Sequence, residues 1–418
     1  MNRTVFSCLP LVPIVVHWLL PVSVENSMYI TIGGIIPFFI FNICYFIYIC
    51  NYKSQIEEGE TIIPYKARIS TIIFVVIYLL YSFIHGILCG IDNLLALMTN
   101  NQVFVYSLLV FILHPMDADM IERTKYIVIP VAIILSIEVL LYSLGILSYS
   151  LDLHSEINNG VMRISTTIDA ATGSAIVFVM LGVLILYYSE IKLFARIFML
   201  ILITVSILLL QSLGSVLVWS IYVLCYFYTN YLKRRTFSYK IKNLLFLGIL
   251  FWGLCKVNVF QPILSRYNEL EENNNIGTGR GELVEKAMNV FFESGGFGVG
   301  LGQTNYDKSL RIVEVNKSYP VGVHNYYICI LAELGFWGLC FLLIYLISLI
   351  RHVDFSNPIS FYILLLFSIT FCLEPIFLNS EFTGFAIFIL MVSIKKNNEE
   401  RVEYFTINTQ DAFHLGQM

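Results

Sequence analysis

Apolar runs long enough to cross a bilayer recur along almost the whole of this chain, and no other property narrows its fold as far. A spanning helix needs about 20 apolar residues. Lipid offers backbone N–H and C=O groups no partner, so such runs must satisfy themselves as helices. Composition agrees: 58% of the 418 residues are hydrophobic and 13% charged, with a mean hydropathy of +0.77. Soluble domains carry about a quarter charged residues. The expected fold is an all-α polytopic membrane protein. Twelve spans are read near residues 6–24, 28–50, 69–90, 94–113, 126–147, 168–188, 194–210, 213–231, 243–260, 325–350, 358–378 and 382–394.

Basic residues in the loops between spans give the orientation. One set of loops holds Arg3, Lys53, Lys66, Arg68, Arg123, Lys125, Lys192, Arg196, the cluster Lys233–Arg235, Lys240, Lys242, Arg351, Lys395, Lys396 and Arg401. The alternate short loops hold Arg163 alone. Both termini are therefore expected in the cytoplasm, with 148–167 and 261–324 outside. The division that follows is N-terminal helices 1–150, central helices 151–260, an extracytoplasmic loop 261–324, C-terminal helices 325–394 and a cytoplasmic tail 395–418. The nine cysteines lie in or beside spans, without disulfide or zinc spacing, and read as apolar packing residues. No metal site, cofactor or nucleic-acid partner is expected; a net charge of −4 says little about a chain mostly in lipid.

The outward loop 261–324 is large enough to have structure of its own. In "RGELVEKAMNVFFE" (280–293), Leu283, Val284, Ala287, Met288 and Phe291 share one helical face, with Glu282, Glu285, Lys286 and Asn289 opposite. That is an amphipathic helix resting on the membrane surface or on the bundle. "SGGFGVGLGQ" (294–303) follows, and its glycines permit tight turns and close approach to a ligand or another segment. A dinucleotide fingerprint would follow a strand and open a helix. These glycines follow a helix, so that reading is rejected.

Charge inside a span costs about 2.5–3.5 kcal/mol per residue on insertion scales and marks a site by default. Glu138, Glu333, Glu374 and Lys256 are the instances. Glu333 lies nine residues after His324, about 13 Å along a helix and on another face. The two make no dyad within one helix, and Glu333 is expected to brace a neighbouring span or loop, with Gly335 and Gly338 allowing close packing. His324, beside Asn325 at the mouth of its span, can take a proton from a hydroxyl if neutral, or can cap the helix. Arg163 sits where topogenic bias disfavours it, and Arg280 opens the amphipathic helix. The long loop carries eight acidic residues against six basic ones, so it has no general positive field; what remains is individual guanidiniums. Their planar fork suits phosphate, although a solvated or headgroup-binding arginine is the alternative for each. Asp117-Ala118-Asp119 resembles a metal-holding pair, but it falls on a cytoplasmic loop and reads as solvated.

"GRGELVEKAMNVFFESGGFGVGLGQTNY" followed by "HNYYICILAELGFWGL" resembles the signature region of the bacterial O-antigen polymerase and O-antigen ligase superfamily. The Arg280–Gly296 spacing is similar to an Arg-x15-Gly pattern of the polymerases, and "RISTTIDAATGSAIVFVMLG" (163–182) resembles the family's earlier arginine segment. "LLLQSLGSVLVW" (208–219) resembles a later one, with Leu213 where Arg is frequent; "ESGGFG" lacks the Pro that often precedes the glycines.

The resemblance implies a GT-C-like glycosyltransferase of the bacterial cytoplasmic membrane, with an undecaprenyl-pyrophosphate-linked glycan as donor, a second glycan as acceptor and a chain-length regulator as a further partner. It implies that Arg163 and Arg280 hold the pyrophosphate without a metal, that His324 is the base, and that Glu333, Asn325 and Gly296 support them. Polymerisation of repeat units into surface polysaccharide is the first expectation and ligation onto a lipid A core the second. A secondary transporter or lipid-glycan flippase is the third, disfavoured because no repeated halves are seen.

Overall fold

The computed structural model describes residues 11, 65–89, 118–147, 156–158, 161–163, 171–229, 264–265, 268, 280–301, 323–355, 359–373 and 389. Apart from Leu11 and Ile389, the runs at 6–24, 28–50, 94–113, 243–260 and 382–394, and with them the count of twelve, lie outside these residues, as do Lys256 and Glu374. Helices dominate: α1 (Tyr65–Leu88), α2 (Ala118–Arg123), α3 (Lys125–Ser143), α4 (Ala171–Tyr187), α5 (Leu193–Leu209), α6 (Leu213–Phe227), α7 (Arg280–Glu293), α8 (Tyr326–His352) and α9 (Ile359–Leu365). A π-helical turn, Leu366–Thr370, and a last α turn, Phe371–Leu373, continue α9. Among the described residues two helices are long and apolar enough to cross a membrane, Ile121–Ser143 and Tyr326–His352.

The departure from all-α is a small antiparallel hairpin, β1 (Glu156–Asn158) and β2 (Val161–Arg163), registered Glu156 to Arg163 and Asn158 to Val161. Asn159-Gly160 lies between the strands, the dipeptide that best closes a two-residue hairpin turn. Arg163 thus ends a strand.

Helix α4 is apolar on every side, and such a helix belongs inside a bundle. From Ala175 to Leu186 its side chains are buried, packed by α3, α5, α6 and α9. Gly182 lets the Trp219 ring of α6 lie against the α4 backbone: a Cβ there would stand 2.4 Å from an indole carbon. Trp219 in turn donates Nε1–H to Thr204 Oγ1 at 3.0 Å, tying α6 to α5.

A second group comprises α1, α7 and α8, with Phe74 of α1 stacked on Tyr345 of α8 at 3.8 Å. The two groups meet where Tyr326 packs edge-on to Phe371 at 5.0 Å and Tyr327 donates its hydroxyl to the Phe367 carbonyl at 2.5 Å. A π turn leaves carbonyls without their usual i+4 donor, and this phenol supplies one.

The outer faces are apolar. Ile73, Ile77, Leu80, Ile84 and Ile87 line one side of α1, Phe194, Phe198 and Ile201 one side of α5, and Ile344 and Ile347 the back of α8. Stripes of this kind are a liability in water and the normal surface of a protein solvated by lipid.

One end of the bundle is polar and tightly tied. Glu122 accepts from the backbone N–H groups of Ser189 (3.1 Å) and Glu190 (2.8 Å), and Lys125 pairs with Glu190. Arg196 donates to the Tyr188 carbonyl at 2.5 Å. Two of the basic loops read from the sequence as lying on one side, 123–125 and 192–196, do meet there.

Candidate functional site

The opposite end gathers the N-termini of α4, α6 and α8. Leu373 packs on Gly214, in the first turn of α6, and shares a narrow cleft with Thr172 at the start of α4. Phe371 touches Tyr326, the first residue of α8. His324 stands two residues ahead of α8, and the strand ending at Arg163 precedes α4 in the chain. His324 therefore lies at the end of the bundle away from Lys125 and Arg196.

Asn325, not His324, caps α8. Its backbone is extended (φ −157°) and its side-chain oxygen accepts the Ile328 N–H at 3.1 Å. The cap that sequence left open to the histidine is filled by its neighbour. His324 is partly exposed just outside the helix.

Helix α7 rests on α8, one of the two supports the sequence allowed it. Leu283 and Ala287 are buried, and Ala287 packs with Val323, Cys329 and Ala332. The turn that ends α7 reaches further along α8, to Ala332, Glu333 and Phe336. Helix α7 therefore advances along α8 in the same sense, and its first residue, Arg280, starts from the end where His324 stands.

At that contact α8 is broken. Gly335 adopts φ +68° and ψ −168°, which no helix contains. A break inside an apolar helix strands carbonyls and N–H groups, tolerable only where protein satisfies them. The glycine loop does so: Val299 N–H donates to Ala332 C=O (3.0 Å), Gly300 N–H to Glu333 C=O (2.8 Å), and Phe336 N–H to Gly296 C=O (3.0 Å). The approach is close enough to need glycine on both sides. A Cβ on Gly335 would lie 2.2 Å from the Phe297 oxygen, and one on Gly298 would lie 2.5 Å from the Gly335 nitrogen. Gly296, singled out by its spacing from Arg280, sits at φ +84° in this joint. The spacing is the length of α7 plus its closing turn.

Two further residues, absent from the sequence reading, complete the joint from α1. Tyr81 donates its hydroxyl to the Leu334 carbonyl at 2.7 Å, and His85 Nε2 bonds the Phe297 carbonyl at 2.7 Å. A carbonyl only accepts, so the proton is on Nε2. The Cys89 sulfur approaches the Gly298 carbonyl at 3.7 Å. The signal that could have found them is the one applied to the glutamates, a titratable side chain within a span. Glu333 is fully buried, within electrostatic reach of Tyr78 and Tyr326. It is its main-chain carbonyl that holds the loop.

The cleft beside Gly214 and Leu373 is also lined by Ile176, Val179, Ser215, Val218, Tyr362 and Thr370. Tyr362 is fully buried there, and its hydroxyl has no hydrogen-bond partner among the described residues. Among the described residues no cluster of three metal-ligating side chains occurs.

Residues 161–343 match the family model described as O-antigen ligase. No curated protein matches the chain. The matched region runs from the first residue of β2 past the break in α8, so it takes in the hairpin strand, the central helices, α7, the glycine joint and the His-Asn entry. It supports the O-antigen polymerase and ligase superfamily, and with it a membrane protein whose kind of activity is polysaccharide polymerisation or ligation.

Proposed function

We propose that this member of the O-antigen polymerase and ligase superfamily joins glycan repeat units carried on undecaprenyl pyrophosphate, at the outer face of the bacterial cytoplasmic membrane. The observation that carries the reading is the glycine joint. It fixes α7 along α8 so that the helix opened by Arg280 and the helix entered through His324 start from the same end of the bundle. Arg163 and Arg280 bind the donor pyrophosphate, each guanidinium offering paired charged hydrogen bonds. His324 accepts the proton of the acceptor hydroxyl as its oxygen attacks the anomeric carbon. The bond from that carbon to the phosphate oxygen breaks, its electrons leave with undecaprenyl pyrophosphate, and the configuration inverts. The arginines stabilise the charge gathering on the leaving group, which is electrostatic preorganisation. The donor is already activated, so no nucleotide enters.

Replacement of Arg280 or His324 by Ala leaves the protein in the membrane and abolishes long glycan ladders on gels of surface polysaccharide. Normal ladders in both variants overturn the assignment. Ligation of finished polysaccharide onto an acceptor is the second reading, favoured by the family description itself. The Arg280–Gly296 spacing favours polymerisation. Gene deletion separates them, since loss of a polymerase leaves single repeats on the final carrier and loss of a ligase leaves that carrier bare.

A further inference from the structure

We infer that Tyr81 and His85, on a helix outside the family-matched region, are positioning residues for the transfer reaction, acting by fixing the glycine loop and the break in α8 in one register; this rests on the function proposed above. Their two hydrogen bonds fall on opposite sides of the joint. Tyr81 takes the Leu334 carbonyl on the helix side, next to Gly335, and His85 takes the Phe297 carbonyl on the loop side, between Gly296 and Gly298. Helix α1 thus grips both partners of a contact it is not part of. Histidine in a span is costly and needs a reason. His85 is buried, and the short hydrogen bond of its ring, 2.7 Å, goes to the loop, while the Cys89 sulfur one turn on stands at 3.6 Å. Filling space would be done as well by leucine.

The lever explains why register matters. Helix α7 has 14 residues, about 20 Å at 1.5 Å rise. A change of about 5° where it ends carries the Arg280 end by about 2 Å. Misplacement of about 1 Å can cost on the order of 100-fold in rate. Leu283 and Ala287 hold the flank of α7 against α8, so loosening the joint shifts the helix without detaching it. The effect expected is on the catalytic step more than on substrate capture.

The test uses full-length protein in nanodiscs with the host strain's own lipid-linked repeat unit as substrate. His85→Ala is expected to lower kcat about 10- to 100-fold per folded molecule, with KM changed less than about threefold. His85→Gln, whose amide can reach the same carbonyl, restores most of the loss. Tyr81→Phe removes one hydroxyl, keeps the ring and gives a smaller fall of the same kind; it serves where His85→Ala folds poorly. Thermal unfolding of each variant measures the folded fraction. Losses that track only that fraction, or that appear in KM with kcat unchanged, mean a purely structural role and overturn the inference, as does failure of His85→Gln to outperform His85→Ala. If wild-type protein makes no polymer or ligated product from this substrate, the function itself fails; if it does and both variants match it, the positioning claim alone fails.

Discussion

A single methyl group at Gly335 should do more damage than one at any other described loop or joint glycine except Gly298. Alanine there suffers twice. The backbone sits at φ +68°, a region that costs an L-residue about 1–2 kcal/mol. The new Cβ also falls 2.2 Å from the Phe297 oxygen and 2.6 Å from the Gly296 oxygen, both main-chain atoms with no side-chain freedom to yield. The loop must lift, and the bonds Val299 to Ala332, Gly300 to Glu333 and Phe336 to Gly296 go with it. At about 1 kcal/mol net for each, the total is about 4–5 kcal/mol. Gly295→Ala is the internal control. It has nearly the same dihedral, φ +66°, but its Cβ meets nothing closer than 4.0 Å, so it bears the conformational cost alone. Scanning fluorimetry of both variants in the same detergent should show Gly335→Ala unfolding several degrees below Gly295→Ala. Equal unfolding temperatures would mean the joint is not closed as described, and the account of how α7 is held would fail.

Removal of the cap, Asn325→Ala, should cost about 1 kcal/mol, while Asn325→Asp retains most of it; equal unfolding temperatures for the two would refute the capping bond to Ile328. Tyr362→Phe removes a buried hydroxyl that has no partner among the described residues, so unfolding should be unchanged or slightly later, and a clear loss of stability would contradict this. Gly182→Ala places a methyl 2.4 Å from the Trp219 ring and should destabilise by about 1–3 kcal/mol. Pairing it with Trp219→Phe should recover part of the loss, and full additivity of the two changes would argue against the contact.

What the sequence revealed and what it hid divide along a physical line. Periodicity and apolar length are local, and they located α5 (read as 194–210, found Leu193–Leu209) and α8 (read as 325–350, found Tyr326–His352) closely. The buried face of α7 was legible for the same reason, through Leu283 and Ala287. The break at Gly335 was not. Glycine in an apolar run reads equally well as a packing residue, and only the arrival of the loop 296–300 decides that its backbone turns to positive φ. Nor was the grip from α1 legible, because the residues that Tyr81 and His85 bond lie more than 200 positions away. The hairpin at 156–163 was missed for a humbler cause: Asn159-Gly160 is a turn signal in plain view, within a segment read only for its arginine.

That division bears on how such a site can work. A transferase acting repeatedly on a growing chain must let its product move while the reacting groups keep their separation. Side-chain contacts hold poorly for this, since each long side chain costs up to about 2 kcal/mol of rotamer entropy to fix. The joint between α7 and α8 avoids that cost by using main chain on both sides, with glycines bringing the two backbones together and three N–H···O=C bonds closing them. The two side chains that do take part, Tyr81 and His85, are rigid rings set in a helix. Stiffness is thus placed where the end of α7 meets α8, and under the function proposed above the freedom a sliding glycan needs must come from elsewhere. Under the function proposed above, a helix α7 free of α8 would leave Arg280 with no fixed position relative to His324, and the geometry that inversion at one carbon demands would be lost.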